Sequence, residues 1–365
     1  MNRFFYYLLL INMITSVVAT NPKVLLHNSD KGAITSMILA VVAGLFFVYI
    51  VAKFFNKFPG QGLPELLYEH TPKWFSWPVI LYLSVNFYIL GLITLVTYSQ
   101  ILRIFLSPQM SIYIIVLSFV LFVSLGILMK TRSVLYSVEF VLILFVPIFL
   151  FIFIKAYTEK NFDWDTVRIA MMHINNPPEW TSFTTAAFIF LGPVNLILFN
   201  RVFKEKQTFT SKSLLTVGGI GIVILFTLYF VPIGFGGFDR IGDLVFPWIS
   251  ATDSMRMKYG LVERVIFVFM VFFLGVALLS IIIHWHVAFH LIDSLVPRKT
   301  GQDQQFRVSS YSILILFWII GFFVATRLSI HQVYRYISAF DNVLPLFAGI
   351  LFLSFFVVKR GVQSK

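Results

Sequence analysis

TSFTTAAFIFLGPVNLILFN, residues 181–200, and FFYYLLLINMITSVVATNPKV, residues 4–24, decide how this chain is read. Each is long and apolar enough to cross a bilayer, which takes about 20 such residues. Each also carries polar or helix-breaking residues near its middle: Asn12, Thr15 and Ser16 in the first, Gly192, Pro193 and Asn195 in the second. Backbone released from helical bonding at that depth is tolerated only inside protein or beside a cavity. Interrupted helices at matched places in two halves of a chain point to a substrate site in a transporter-type fold.

The rest of the chain agrees with a membrane setting. Of its 365 residues, 59% are hydrophobic and only 12% charged, where soluble domains run nearer ~25% charged. Mean hydropathy is +0.88. No soluble fold hides that much apolar surface, and the 43 Phe residues suit lipid-facing helices. Absence of cysteine excludes disulfides, thiol catalysis and Cys-ligated metals. The net charge of +12 could suggest nucleic acid, but the basic residues sit in short loops between apolar runs, as membrane topology alone requires. Nucleic acid is therefore not an expected partner; membrane lipid is.

Ten spans are expected, at 4–24, 33–55, 77–106, 111–129, 134–156, 181–200, 213–234, 261–290, 308–327 and 336–358. With the N-terminus inside, 16 of the 28 Lys and Arg fall on the inner side. Six of the other 12 lie in two longer outer connections that also carry eight acids. This bias favours both termini inside. Arg3, an apolar run and Ser16-Val17-Val18-Ala19 also fit a secretory signal with a small-residue cleavage site. Cleavage there would leave nine spans and destroy the match between the halves.

That match is an internal repeat, 1–156 against 181–358, within one membrane domain spanning 1–365. In each half an interrupted span comes first and a regular one of about 22 residues second. A connection rich in Gly, Pro and aromatic residues follows, with Phe58-Pro59-Gly60 and Phe246-Pro247-Trp248. The third span is the longest, and two more complete each half. Five is odd, so the second half enters the membrane from the opposite side, which makes an inverted repeat.

With this layout the chain resembles the amino acid–polyamine–organocation superfamily, and more narrowly the endospore germination permeases, the B subunits of spore germinant receptors. The local match lies in FPWISATDSMRMKYGLVERVIFVFMVFF, where Phe246-Pro247 precedes Glu263-Arg264 at the head of an aromatic helix. The basic 201–212 loop and the basic tail also fit. The resemblance implies an all-α fold of ten transmembrane helices in a 5+5 inverted repeat, the LeuT-like or APC fold. It places a ligand site between spans 1, 3, 6 and 8 near the midplane. It implies partnership with a receptor A subunit and a C lipoprotein, and a home in the spore inner membrane. Two features depart from the pattern. Span 1 has no glycine, and Gly192-Pro193-Val194 lacks the acid often found in span 6. These departures predict a span 1 that stays more helical than in relatives, with the clearer break at Gly192-Pro193.

The candidate ligand-binding residues follow from that placement. Pro193 removes a backbone donor and disfavours helix at Gly192, and Phe190 and Asn195 flank the step. Asn12 and Ser16 are four apart and share a face, with Thr15 beside them. They either bind ligand or join helices by hydrogen bonds. Gly91, Thr94 and Tyr98 form a stripe on span 3, where close helix packing is the competing explanation. Gly275 leaves room on span 8 for a ligand or a neighbouring helix. Glu139 and Asp341 lie near span heads, and each could pair with a basic residue or relay a proton. His286 and His290 share a face, but His284 points nearly opposite and no carboxylate stands at ligand spacing. No metal or cofactor is expected, and these histidines, near the inner end of their span, read as structural or pH-sensitive. No nucleophile–base pair or acid cluster suggests an enzyme. The expected function is recognition of a small germinant, an amino acid being the first choice, with secondary transport of amino acids or amines as the alternative.

Overall fold

The computed structural model describes residues 3–18, 21–206, 208–257, 263–296 and 308–363. They are almost wholly helical, and the described residues contain no strand beyond one bridge between Arg256 and Arg264. The chain begins α1 (Arg3–Val18), α2 (Asn21–His27), α3 (Ala33–Phe55), α4 (Leu63–His70) and α5 (Lys73–Ile101), which a π-turn extends over Leu102–Leu106. Next come α6 (Ile112–Ile127), α7 (Thr131–Thr158), α8 (Trp164–Met171) and α9 (Trp180–Phe188). A 3-10 stretch over Ile189–Asn195 joins α9 to α10 (Leu196–Phe199). The remainder is α11 (Ser211–Gly236), α12 (Phe238–Ile241), α13 (Pro247–Ser254), α14 (Val265–Leu295), α15 (Val308–Arg327), α16 (Ile330–Asn342) and α17 (Leu344–Gln363).

Among the described residues, seven helical segments are long and apolar enough to cross a membrane, and eight if the bent pair α1 and α2 forms one span. Ile112–Ile127 and Tyr311–Arg327 are apolar but shorter. The expected 33–55 coincides with α3. The expected 336–358 does not coincide with one helix: it begins inside α16, and the chain turns at Val343 before α17. Several sequence features fall outside the described residues: Ala19 at the end of the first span, 258–262 of the outer connection, the basic residues of 297–307, and Lys365.

The two interruptions take different forms. α1 passes unbroken through Asn12, Thr15 and Ser16, and α2 then departs at 54°. Pro22 stands in the first turn of α2, where its missing N–H costs no bond within the helix and its fixed φ suits a helix start. α1 ends at Val18. Span 6, by contrast, is not severed at Gly192-Pro193. It tightens into 3-10 winding over Ile189–Asn195 and returns to α-helix at Leu196.

Burial orders the bundle. The Trp180–Val202 segment is 83% buried against 28% for α7 and α17, so span 6 is central and the other two face lipid. Phe140, Ile143 and Ile154 form part of that outward apolar surface. α1 lies directly on span 6 because Gly192 has no side chain: a Cβ there would stand 2.5 Å from Leu9 Cα and 2.6 Å from the Leu8 carbonyl oxygen. α5 packs against α14, with Trp285 Nε1 donating to the Tyr88 carbonyl at 3.1 Å and Ser84 Oγ to the Ala288 carbonyl at 2.9 Å. Arg3 reaches Glu139 of α7 at 3.1 Å, so that acid pairs with a base.

Glu179 fixes the start of span 6. Its carboxylate caps α9, accepting from the backbone N–H of Thr181 at 2.8 Å and of Ser182 at 2.6 Å. Its own N–H donates to Ser36 Oγ of α3 at 2.8 Å. Burial alone would raise its pKa, but the Ser182 and Thr181 N–H groups together outweigh it and hold the carboxyl below its ordinary value.

Candidate functional site

A small enclosed cavity sits where the two interrupted spans meet. Asn12, Thr15 and Ser16 of α1 line it with Asn21 of α2, Thr94 of α5, Phe188 of α9, Ser280 and His284 of α14, and Asp341 of α16. The centre of a water-sized sphere can range over about 30 Å³ inside it, and about 10–15 Å³ suffices for one water. A larger solute therefore requires side chains or helices to shift. Elements at the positions of spans 1, 3, 6 and 8 contribute, and α16 adds a further wall.

Asn12 joins the interrupted segments. Its Nδ2 donates to the carbonyls of Phe188 at 3.0 Å and Ile189 at 3.2 Å. In an α-helix the Ile189 oxygen would accept from residue 193, and proline cannot supply that donor. On the other side of the cavity, Asn21 Nδ2 donates to the Thr185 carbonyl at 3.0 Å. Thr185 Oγ1 in turn donates to Asp341 Oδ2 at 2.9 Å. α1, α2, α9 and α16 are thus tied by polar side chains at the cavity wall.

The hydroxyls of this wall spend their protons locally. Thr15 donates to the Ile11 carbonyl at 2.7 Å, Ser16 to Asn12 at 2.8 Å, and Thr94 to Leu90 at 3.0 Å. His284 Nδ1 lies 2.8 Å from the Ser280 carbonyl, which can only accept, so Nε2 is the acceptor of the neutral ring.

The remaining candidates occupy packed positions away from the cavity lining. Gly91 faces Trp285, whose Cδ1 would be 2.3 Å from an added Cβ. Gly275 faces the Phe145 ring of α7 at 2.6 Å by the same measure. Phe190 is fully buried in a slot between Gly44 of α3 and Gly221 of α11. Gly192 and Pro193 form the contact with α1, and Asn195 Nδ2 donates to the Gly192 carbonyl at 2.9 Å. The Tyr98 hydroxyl is buried and has no hydrogen-bond partner among the described residues.

His284 and His286 are both buried, and His286 lies 3.1 Å from Thr131 Oγ1 and 2.9 Å from the Ile127 carbonyl. Asp341 is 3% exposed, with its side chain on Thr185 and the cavity, and it makes no ion pair among the described residues. The Asn21-Pro22 pair was a signal for the bend, and for Asn21 at its edge, within the sequence itself.

Comparison with known proteins accords with this architecture. Across 348 residues the chain is 25% identical to spore germination protein A2 of Bacillus subtilis (strain 168), covering 93% of this chain and 89% of that protein. The family model for spore germination proteins matches residues 2–327. That match takes in every element lining the cavity except α16, and by it the chain belongs to the spore germination protein (spore permease) family.

Proposed function

We propose that this chain is the germinant-recognition subunit of a spore germinant receptor and that the cavity between α1, α2, α5, α9, α14 and α16 takes the germinant. The observation that carries this reading is the convergence of both interrupted spans on one small cavity that holds a buried acid and several polar side chains, in a member of a spore germination family. On this reading the fold is a LeuT-like 5+5 inverted repeat of ten spans. α6 and α15 are short crossings, α16 with α17 forms the tenth, and both termini are cytoplasmic. The chain sits in the spore inner membrane beside an A subunit and a C lipoprotein, and it binds its ligand without transforming it. A small germinant such as an amino acid enters, and the helices move around it because it binds one arrangement better than another. The movement passes to the partner subunits.

Secondary transport of amino acids or amines is the second reading, and the 54° bend between α1 and α2 favours it, because broken first helices are characteristic of carriers. Reconstitution of the purified chain alone in liposomes separates the two. A receptor subunit binds radiolabelled ligand without accumulating it. Concentrative uptake would assign the chain to the carriers.

A further inference from the structure

We infer that Asp341 is the counter-charge for an ammonium group, so that the ligand of this cavity is an amine-bearing compound. The inference rests on the proposal that the cavity binds a small germinant, and it names the chemical group through which that ligand is held.

Most of the lining is apolar, and the polar side chains in it mainly accept hydrogen bonds. Thr15, Ser16 and Thr94 have committed their protons to carbonyls one turn back, and Thr185 has committed its own to Asp341. Both N–H bonds of the Asn12 amide are spent on Phe188 and Ile189, and one from Asn21 is spent on Thr185. What these groups still offer to the cavity is lone pairs: hydroxyl oxygens, amide Oδ1 atoms and His284 Nε2. No Lys or Arg lines the cavity, and no ion pair to Asp341 exists among the described residues. Asp341 Oδ2 takes the Thr185 hydroxyl, and Oδ1 has no partner among the described residues.

A buried carboxylate without a cation is costly, and one beside hydroxyls whose protons are already committed gains from a ligand that is positively charged and donates. A primary ammonium brings three donors and one charge, and the apolar remainder of the lining, with Leu90, Ile93, Ile337 and Phe340, suits a small hydrocarbon part. An anionic solute would meet the Asp341 carboxylate with no Lys or Arg in the lining to offset it. Thr185 is a positioning residue: its hydroxyl fixes one oxygen of Asp341 and leaves the other toward the cavity.

The test uses the full-length chain purified in lipid nanodiscs, with thermal unfolding followed by intrinsic fluorescence. Probes are the common amino acids, small alkylamines, the 2-hydroxy acids that replace each ammonium by a hydroxyl, and sodium ion alone. At least one ammonium-bearing probe should raise the melting temperature while its hydroxy acid does not. Asp341→Asn, which keeps an acceptor for Thr185, should weaken that probe by about tenfold or more. Thr185→Val, which leaves the charge but removes the hydroxyl that aims it, should weaken it by about threefold to tenfold. If Asp341→Asn does not give folded protein, Thr185→Val decides, and unchanged affinity overturns the assignment. Equal binding by the hydroxy acid, or by Asp341→Asn, overturns it while leaving germinant binding intact. Protection by sodium that is lost in Asp341→Asn while amines protect both proteins equally makes Asp341 an ion site and also overturns it. Failure of every probe on the wild-type chain contradicts ligand binding itself, and this inference falls with it.

Discussion

Asn12 of α1 donates through Nδ2 to the carbonyl of Ile189 at 3.2 Å, and Ile189 is the residue whose α-helical donor is missing at Pro193. The proline on one interrupted span and the asparagine on the other are therefore two parts of one contact. The proline removes the α-helical donor, the segment tightens to 3-10 winding with bonds to the residue three on, and the asparagine adds a donor from the neighbouring helix. Asn12→Leu keeps the bulk and removes that added donor. It should destabilise the purified protein by about 1 kcal/mol, read as a lower melting temperature.

Pro193→Ala acts on the same contact from the other end. The new N–H can bond Ile189 and compete with Asn12, and alanine is the better helix former by about 3 kcal/mol. Protein level and melting temperature should hold or rise, while the germination response falls. Equal loss of protein level and response would make Pro193 a kink with no part in signalling.

Gly192 admits α1 to span 6. In Gly192→Ala the Cβ meets backbone at 2.5 Å, and backbone cannot swing aside as a side chain can. Overpacking of this kind costs about 1–3 kcal/mol, so the variant should show reduced membrane yield and a lower melting temperature. Gly219, which has open space at its Cβ position, should accept alanine without such loss.

Phe190 holds α3, span 6 and α11 together by filling the slot between Gly44 and Gly221. Phe190→Ala should cost about 4 kcal/mol through the cavity it leaves. The measurement is the melting temperature of the detergent-solubilised chain, with ligand binding scored only on the folded fraction.

Glu179 gives the fold a pH dependence. Its carboxyl has a lower pKa folded than unfolded, so its contribution is fully present above the ordinary carboxylate range, near ~4.3, and is lost as pH falls through the folded value. Glu179→Ala should cost about 1 kcal/mol at neutral pH through loss of the cap. The difference in melting temperature between variant and wild type should shrink on acidification below about pH 4.

The membrane architecture was legible because hydrophobic length is a one-dimensional property. α3 could be bounded at 33–55 from sequence. The form of the two interruptions was not legible. Gly192-Pro193 looks like a break, but 3-10 winding and Asn12 absorb the missing donor, while Pro22 marks the bend that composition had hidden behind Asn12, Thr15 and Ser16. The setting of Asp341 was not legible for a related reason. An acid near the head of an apolar run reads as interfacial, but α16 is a separate amphipathic helix that carries the acid inward against Thr185. Packing between distant segments decides such cases: Gly91 and Gly275 were candidates on spacing, and each is occupied by an aromatic ring from across the bundle.

The central claim is that this chain recognises a germinant. Its most direct test is deletion of the gene in the sporulating source organism, with germination scored separately for each germinant. The account predicts loss of response to one germinant or a defined subset, restored by the wild-type gene and not by Asp341→Asn, with other responses intact. Unchanged germination with every germinant would contradict it.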